Sequence, residues 1–270
     1  MKRLGLIAIH GMGETKEDFA DAFFAEIRSR LGAAQSEKLV TEPVYYQNIL
    51  QENQEKYFNR VRQHIDWMRL RKFMLYGICD AASLESRKDG PDSPYFIAQT
   101  RILEAFRRVY RALEGSNRRV IVVAQSLGGQ VLSNYLWDAS RASKPAHGVW
   151  SGTPGFASPE EEEFCRGNFI ARLNTTGCNI PVFVAGRDRE DIKPIPRPNS
   201  YFEWHNFYDE DDVLGWPLRD LSDSYAALVE ADHRINSGGL LTSFNPLSHS
   251  NYWDDRSFLR PLLDQIRQHV

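Results

Sequence analysis

Between Arg119 and Leu136 the chain reads Arg-Val-Ile-Val-Val-Ala-Gln-Ser-Leu-Gly-Gly-Gln-Val-Leu-Ser-Asn-Tyr-Leu. Val120 to Ala124 is a short apolar run rich in β-branched residues, the composition of a buried strand. Val131, Leu132, Tyr135 and Leu136 then recur at helical spacing, so a helix begins just past Ser126. A strand that passes into a helix through so few residues needs a tight turn, and small residues flank the serine at Ala124 and Gly128. Such a turn lifts the Ser126 hydroxyl above the sheet, beside the unsatisfied N–H groups and partial positive charge of the helix N-terminus. The plainer alternative is that Ser126 only caps the helix.

Other segments fit around this one. Leu4 to Ile9 is a second buried-strand candidate and runs into His10-Gly11-Met12-Gly13. Phe19, Phe23, Ile27 and Leu31 mark an amphipathic helix that stops near Gly32. Pro43 to Tyr46 reads as the next strand. From Ile49 to Leu84 strand signals vanish, and Tyr57, Phe58, Val61, Ile65, Met68, Phe73, Met74 and Leu75 form a broad helical stripe. Its polar side carries Lys56, Arg60, Arg62, Arg69, Arg71 and Lys72. This stretch reads as a helical layer with a solvated basic face. A partner-binding surface and a membrane-surface helix are further readings. Ile97 to Leu113 is helical and leads into the Val120 strand, which is the pattern of a parallel-sheet crossover.

Beyond Leu136, Glu160 to Glu163 reads as a solvated acidic run, Phe169 to Leu173 as a strand and Pro181 to Gly186 as a further apolar run. Tyr201 to Tyr208 alternates as a strand and runs into Asp209-Glu-Asp-Asp-Val-Leu-Gly215. A loop at Asn245 to Asp254 precedes a last helix over Ser257 to His269.

A chain of 270 residues is ample for one core, so residues 1–270 are expected to form a single domain, with 49–95 as a helical insertion. The net charge of −3 gives no bulk attraction to nucleic acid, and it also argues against contact with a membrane. Cys79, Cys165 and Cys178 are odd in number and lack metal-site spacing, which fits a reducing cytoplasm. Met1-Lys-Arg followed by an apolar run mimics the start of a signal peptide. The run ends too soon, at His10-Gly11, so a cytoplasmic, unexported protein is expected.

The Ala124-x-Ser126-x-Gly128 turn between strand and helix, together with an early strand ending in His10-Gly11, resembles the α/β-hydrolases, the lipase- and esterase-like serine hydrolases. Ala124 stands where Gly is commoner and Gln125 where His is frequent; neither change removes a catalytic atom. The resemblance implies a mostly parallel central sheet with helices on both faces, and a cap formed by the insertion. It implies Ser126 as nucleophile and an oxyanion hole made by the backbone N–H groups of Met12 and Leu127. The family's acid sits just past a late strand, often as Asp-x-Val. Asp211-Asp212-Val213 has that form, so Asp211 is the first candidate, Asp209 and Asp212 are close alternatives, and Asp188 is a more distant one. The family's histidine sits in a loop before the last helix, which is the position of His249; His233 is the runner-up.

Such a set acts by acyl transfer through an acyl-enzyme and needs neither metal nor organic cofactor. The expected substrate is a small carboxylic ester with an apolar acyl group. Lipase, thioesterase and amidase chemistry on the same residues stay open, as does a non-catalytic binding protein that keeps the fold.

Overall fold

Every residue from Leu4 to Ile9 is apolar or glycine and every one is buried, which requires a strand covered on both faces. The computed structural model describes residues 1–13, 15–64, 66–85, 90–115, 117–141, 144–236 and 252–270. In chain order its elements are β1 (Leu4–Ile9), α1 (Asp21–Leu31), α2 (Ala33–Ser36), β2 (Leu39–Val44), α3 (Asn48–Val61), α4 (Met68–Glu85), α5 (Pro94–Ala112), β3 (Arg119–Gln125), α6 (Leu127–Ala139), α7 (Pro159–Cys165), β4 (Ile170–Thr176), α8 (Ile180–Val184), β5 (Glu203–Asp209), α9 (Asp223–Leu228), β6 (Val229–Ile235) and α10 (Arg256–Arg267). The strands form one six-stranded sheet in the order β2-β1-β3-β4-β5-β6, with every pairing parallel. This is an α/β fold.

Period-two alternation divides the core between the two faces of the sheet. Ile7, Ile9, Val120, Val122 and Ala124 point to one face, where Ile102, Phe106 and Val109 of α5 and Val131 and Tyr135 of α6 cover them. Leu4, Leu6, Ala8, Ile121 and Val123 point to the other, under Phe23, Phe24 and Ile27 of α1 and Phe258, Leu262 and Ile266 of α10. Helix α5 starts where its sequence provides a cap: Ser93 accepts the Phe96 N–H, and Pro94 occupies the first turn, where no N–H is needed. No helix among the described residues is long and apolar enough to cross a membrane.

Several elements differ from their sequence reading. Strand β2 begins at Leu39 and ends at Val44, so Pro43 lies inside it. Among the described residues it pairs only with β1, and an edge strand tolerates the missing N–H. Strand β6, with the sequence Val-Glu-Ala-Asp-His-Arg-Ile, carries too many polar residues to signal a buried strand; among the described residues it is the opposite edge, paired only with β5. The apolar run at Pro181 forms the short helix α8, with Pro181 in its first turn. Ser158 caps α7 by accepting the Glu161 N–H, the acidic run forms its first turns, and Glu161 within it is buried, accepting the Ala157 N–H and pairing with Arg111 at 3.3 Å. The insertion is two helices, α3 and α4, with a 3-10 turn at Arg62–His64 between them.

Candidate functional site

Ser126 takes φ 51° and ψ −124°, outside the regions that L-residues ordinarily occupy. A conformation of this kind costs on the order of 1–3 kcal/mol and persists only where its surroundings fix it. Here they do. The Ser126 N–H donates to Thr176 O at 2.8 Å, across to the end of β4. A Cβ on Gly128 would stand 2.4 Å from His10 O, so only glycine lets α6 approach the end of β1 this closely. A Cβ on Gly11 would stand 2.6 Å from Ser126 Cβ and 3.3 Å from its Oγ. The strained serine and the His10–Gly13 loop are therefore packed on each other.

The Ser126 hydroxyl makes no capping bond to α6. It is 1% exposed and has no hydrogen-bond partner among the described residues. A buried, unpaired hydroxyl is itself unfavourable by about 1–3 kcal/mol. Cys178 lies beside the turn, its Sγ 2.9 Å from where a Gly129 Cβ would be. Burial pushes its thiol up to about 12, so it stays protonated and is no rival nucleophile.

His10 holds the neighbouring loop as a neutral ring. Its Nε2 accepts the Tyr46 N–H at 3.2 Å, so the proton sits on Nδ1, which donates to Gly11 O at 2.8 Å. Burial lowers its pKa to about 4, and Tyr46 stacks on it at 4.1 Å. In a trans peptide the C=O and the following N–H point opposite ways. By fixing Gly11 O, His10 also fixes the direction of the Met12 N–H. The Leu127 N–H opens α6, where first-turn donors have no partner within the helix.

The insertion rests on this loop. A Cβ on Gly77 of α4 would stand 2.6 Å from Met12 Sδ. Asp80 of α4 is fully buried and accepts Gln47 Nε2 at 2.7 Å, Gln54 Nε2 at 2.6 Å and the Gly13 N–H at 3.3 Å. Burial raises the Asp80 pKa, and these three donors oppose the rise. Its native carboxyl therefore binds a proton more tightly than the unfolded one, which titrates at about 3.9. The stability it contributes is full below that value and is lost as pH rises through the raised native pKa. In urea titrations from acid to neutral pH, the native protein should lose stability relative to Asp80→Asn as pH rises. A difference that stays flat with pH contradicts this.

The four candidate acids occupy different settings. Asp188 and Asp211 are exposed. Asp209 ends β5, and Asp212 sits in the turn beyond it; both are buried. Asp209 Oδ1 accepts the Asp211 N–H at 3.0 Å. Asp212 Oδ1 accepts the Leu214 N–H at 3.0 Å, and its Oδ2 accepts the Tyr252 hydroxyl at 2.8 Å. That hydroxyl also accepts the Asp209 N–H at 2.9 Å. Burial and the Asp212 carboxylate push the Tyr252 pKa far up, so it remains a donor. A Cβ on Gly215 would stand 2.7 Å from Asp212 Oδ2 and 3.1 Å from Gly177 Cα. Asp212 thus lies near the end of β4, next to the residue that accepts the Ser126 N–H. Trp253 Nε1 donates to Thr176 Oγ1 at 3.2 Å and ties the same corner to the chain before α10.

His249 lies outside the described residues. His233 sits within β6, its Nε2 3.0 Å from His205 Nδ1 and its ring stacked on Phe207 at 4.6 Å. Burial and His205 lower its pKa. It is aligned with Phe207, which is aligned with Thr176, which is aligned with Gln125. Three strand spacings, about 14 Å, separate it from the serine strand.

Thr176, Tyr252 and Asp80 carry no sequence motif. Only Asp80 left a signal, as an acid in step with Tyr76 and Leu84 on one helical face. No protein-family model matches the chain, and no curated protein compared with it matches.

Proposed function

We propose that the chain is a serine hydrolase of the α/β-hydrolase type that cleaves a carboxylic ester through an acyl-enzyme on Ser126. The observation that carries this reading is the strained serine between β3 and α6, pressed against Gly11, with a hydroxyl that has no hydrogen-bond partner among the described residues. A helix cap would not need that backbone, and a merely structural serine would not be left unpaired.

The assigned roles are Ser126 nucleophile, His249 base, Asp212 acid, and the Met12 and Leu127 N–H groups as oxyanion donors. Neutral His249 takes the Oγ proton as Oγ bonds to the ester carbon, and the two N–H groups hold the resulting oxyanion. Collapse expels the alcohol oxygen, which leaves with the proton from the imidazolium. Water then adds to the acyl-enzyme by the same route, giving the carboxylic acid and free serine. A buried carboxylate is needed to fix the histidine tautomer and stabilise the imidazolium. Burial and two fixed donors favour Asp212 over the exposed Asp211. Tyr252, on Asp212, is three residues from His249, a covalent reach of at most about 10 Å. Helices α3 and α4 are assigned as the cap, since the inner side of α4 meets Met12 and Gly13 and Gln54 of α3 donates to Asp80 beneath it.

Fluorophosphonate labelling tests the reading. The native protein should take up one label per chain, Ser126→Ala none, and His249→Ala should react far more slowly. Undiminished labelling of Ser126→Ala contradicts the assignment.

A further inference from the structure

Helix α4 is turned inside out. Its buried side carries Tyr76, Gly77, Asp80 and Leu84, with the Asp80 carboxylate at the centre of a polar cluster. Its outer side presents Leu70, Met74 and Ile78, which recur at i, i+4 and i+8 and so form one ridge. Trp67 and Met68 stand at its start. Trp67 is 76% exposed, Ile78 59%, Met68 50% and Met74 46%. Tyr57 of α3 adds to the same segment at 56%. Scattered apolar residues on a surface need no explanation, but a continuous ridge of large ones does.

The charges beside the ridge indicate what covers it. Between Lys56 and Lys72 the sequence holds six Lys and Arg against the single acid Asp66, within a chain of net charge −3. Arg60, Arg62 and Arg71 are exposed. A neutral apolar partner would not call for such a local reversal of charge, and a two-fold contact with a second copy would set these cations against one another. An exposed ridge of Trp, Leu, Met and Ile with flanking cations is the pattern of a helix that lies in the plane of an anionic lipid surface.

We propose that the outer face of α4 docks this protein on anionic lipid, with Trp67, Leu70, Met74 and Ile78 entering the headgroup boundary and Arg60, Arg62 and Arg71 meeting lipid phosphates. The docking does not depend on the chemistry of Ser126. It would set a bilayer about 10 Å, one helix diameter, from the Met12–Gly13 loop on the inner side of α4.

Co-flotation of the full chain with vesicles tests this. Binding to phosphatidylcholine vesicles containing phosphatidylglycerol should exceed binding to phosphatidylcholine alone by about tenfold or more, and should fall at high salt. A Trp67→Ser, Met74→Ser, Ile78→Ser variant should lose binding by about tenfold or more while keeping its thermal unfolding, because these side chains are exposed. Ser126→Ala should bind as the native chain does, which separates failure of docking from failure of the hydrolase reading. Three results would overturn the proposal: equal binding to both vesicle types, a triple variant that binds like the native chain, or a self-association in sedimentation that the triple variant abolishes.

Discussion

Under the proposed serine hydrolase function, Ser126→Ala should remove ester hydrolysis, lowering kcat on a short p-nitrophenyl ester by about 10⁴ or more, while leaving the fold intact. The size follows from losing the attacking atom, with only oxyanion binding left behind. The stability outcome follows from the turn. The hydroxyl has no partner among the described residues, so its removal should leave unfolding within about 1 kcal/mol or slightly raise it. Ser126→Gly should remove activity equally but raise stability by about 1 kcal/mol, because φ 51° strains any residue with a Cβ and suits glycine. Urea unfolding beside the kinetic assay reads both. A stability loss in Ser126→Ala would mark the serine as structural.

Asp212→Asn carries the second large effect. An amide in place of the carboxylate would leave the histidine in the wrong tautomer and its charged form unsupported, at a cost of about 10⁴ in kcat in a well-studied triad. The neighbours supply the controls. Asp211→Asn alters an exposed side chain and should change the rate little. Asp209→Asn disturbs a buried turn, where Asp209 Oδ1 accepts the Asp211 N–H, and should act on unfolding. A rate loss confined to Asp209→Asn or Asp211→Asn moves the acid to that position.

The serine turn was legible because everything that makes it is local: a β-branched run, small residues on both sides of the serine and helical periodicity beyond. The His10-Gly11 loop was legible for the same reason. The choice among Asp209, Asp211 and Asp212 was not. Burial in that turn depends on Tyr252, 40 residues away in sequence, and on close approach to Gly177. Strand β6 escaped notice because an edge strand with one neighbour keeps polar residues that a central strand would not. The helical insertion misled in a more informative way. Its apolar stripe reads as an inward face, yet Tyr57, Met68 and Met74 of that stripe are exposed and an acid faces inward instead. Apolar periodicity reports that a face will be covered, not that this chain covers it.

Peptide mapping of the fluorophosphonate adduct by mass spectrometry tests directly whether Ser126 is the nucleophile. A single modification should appear, on the peptide spanning Arg119 to Leu136 and located at Ser126. A label on any other residue, or ester turnover that persists while Ser126 remains unmodified and replaceable, contradicts it.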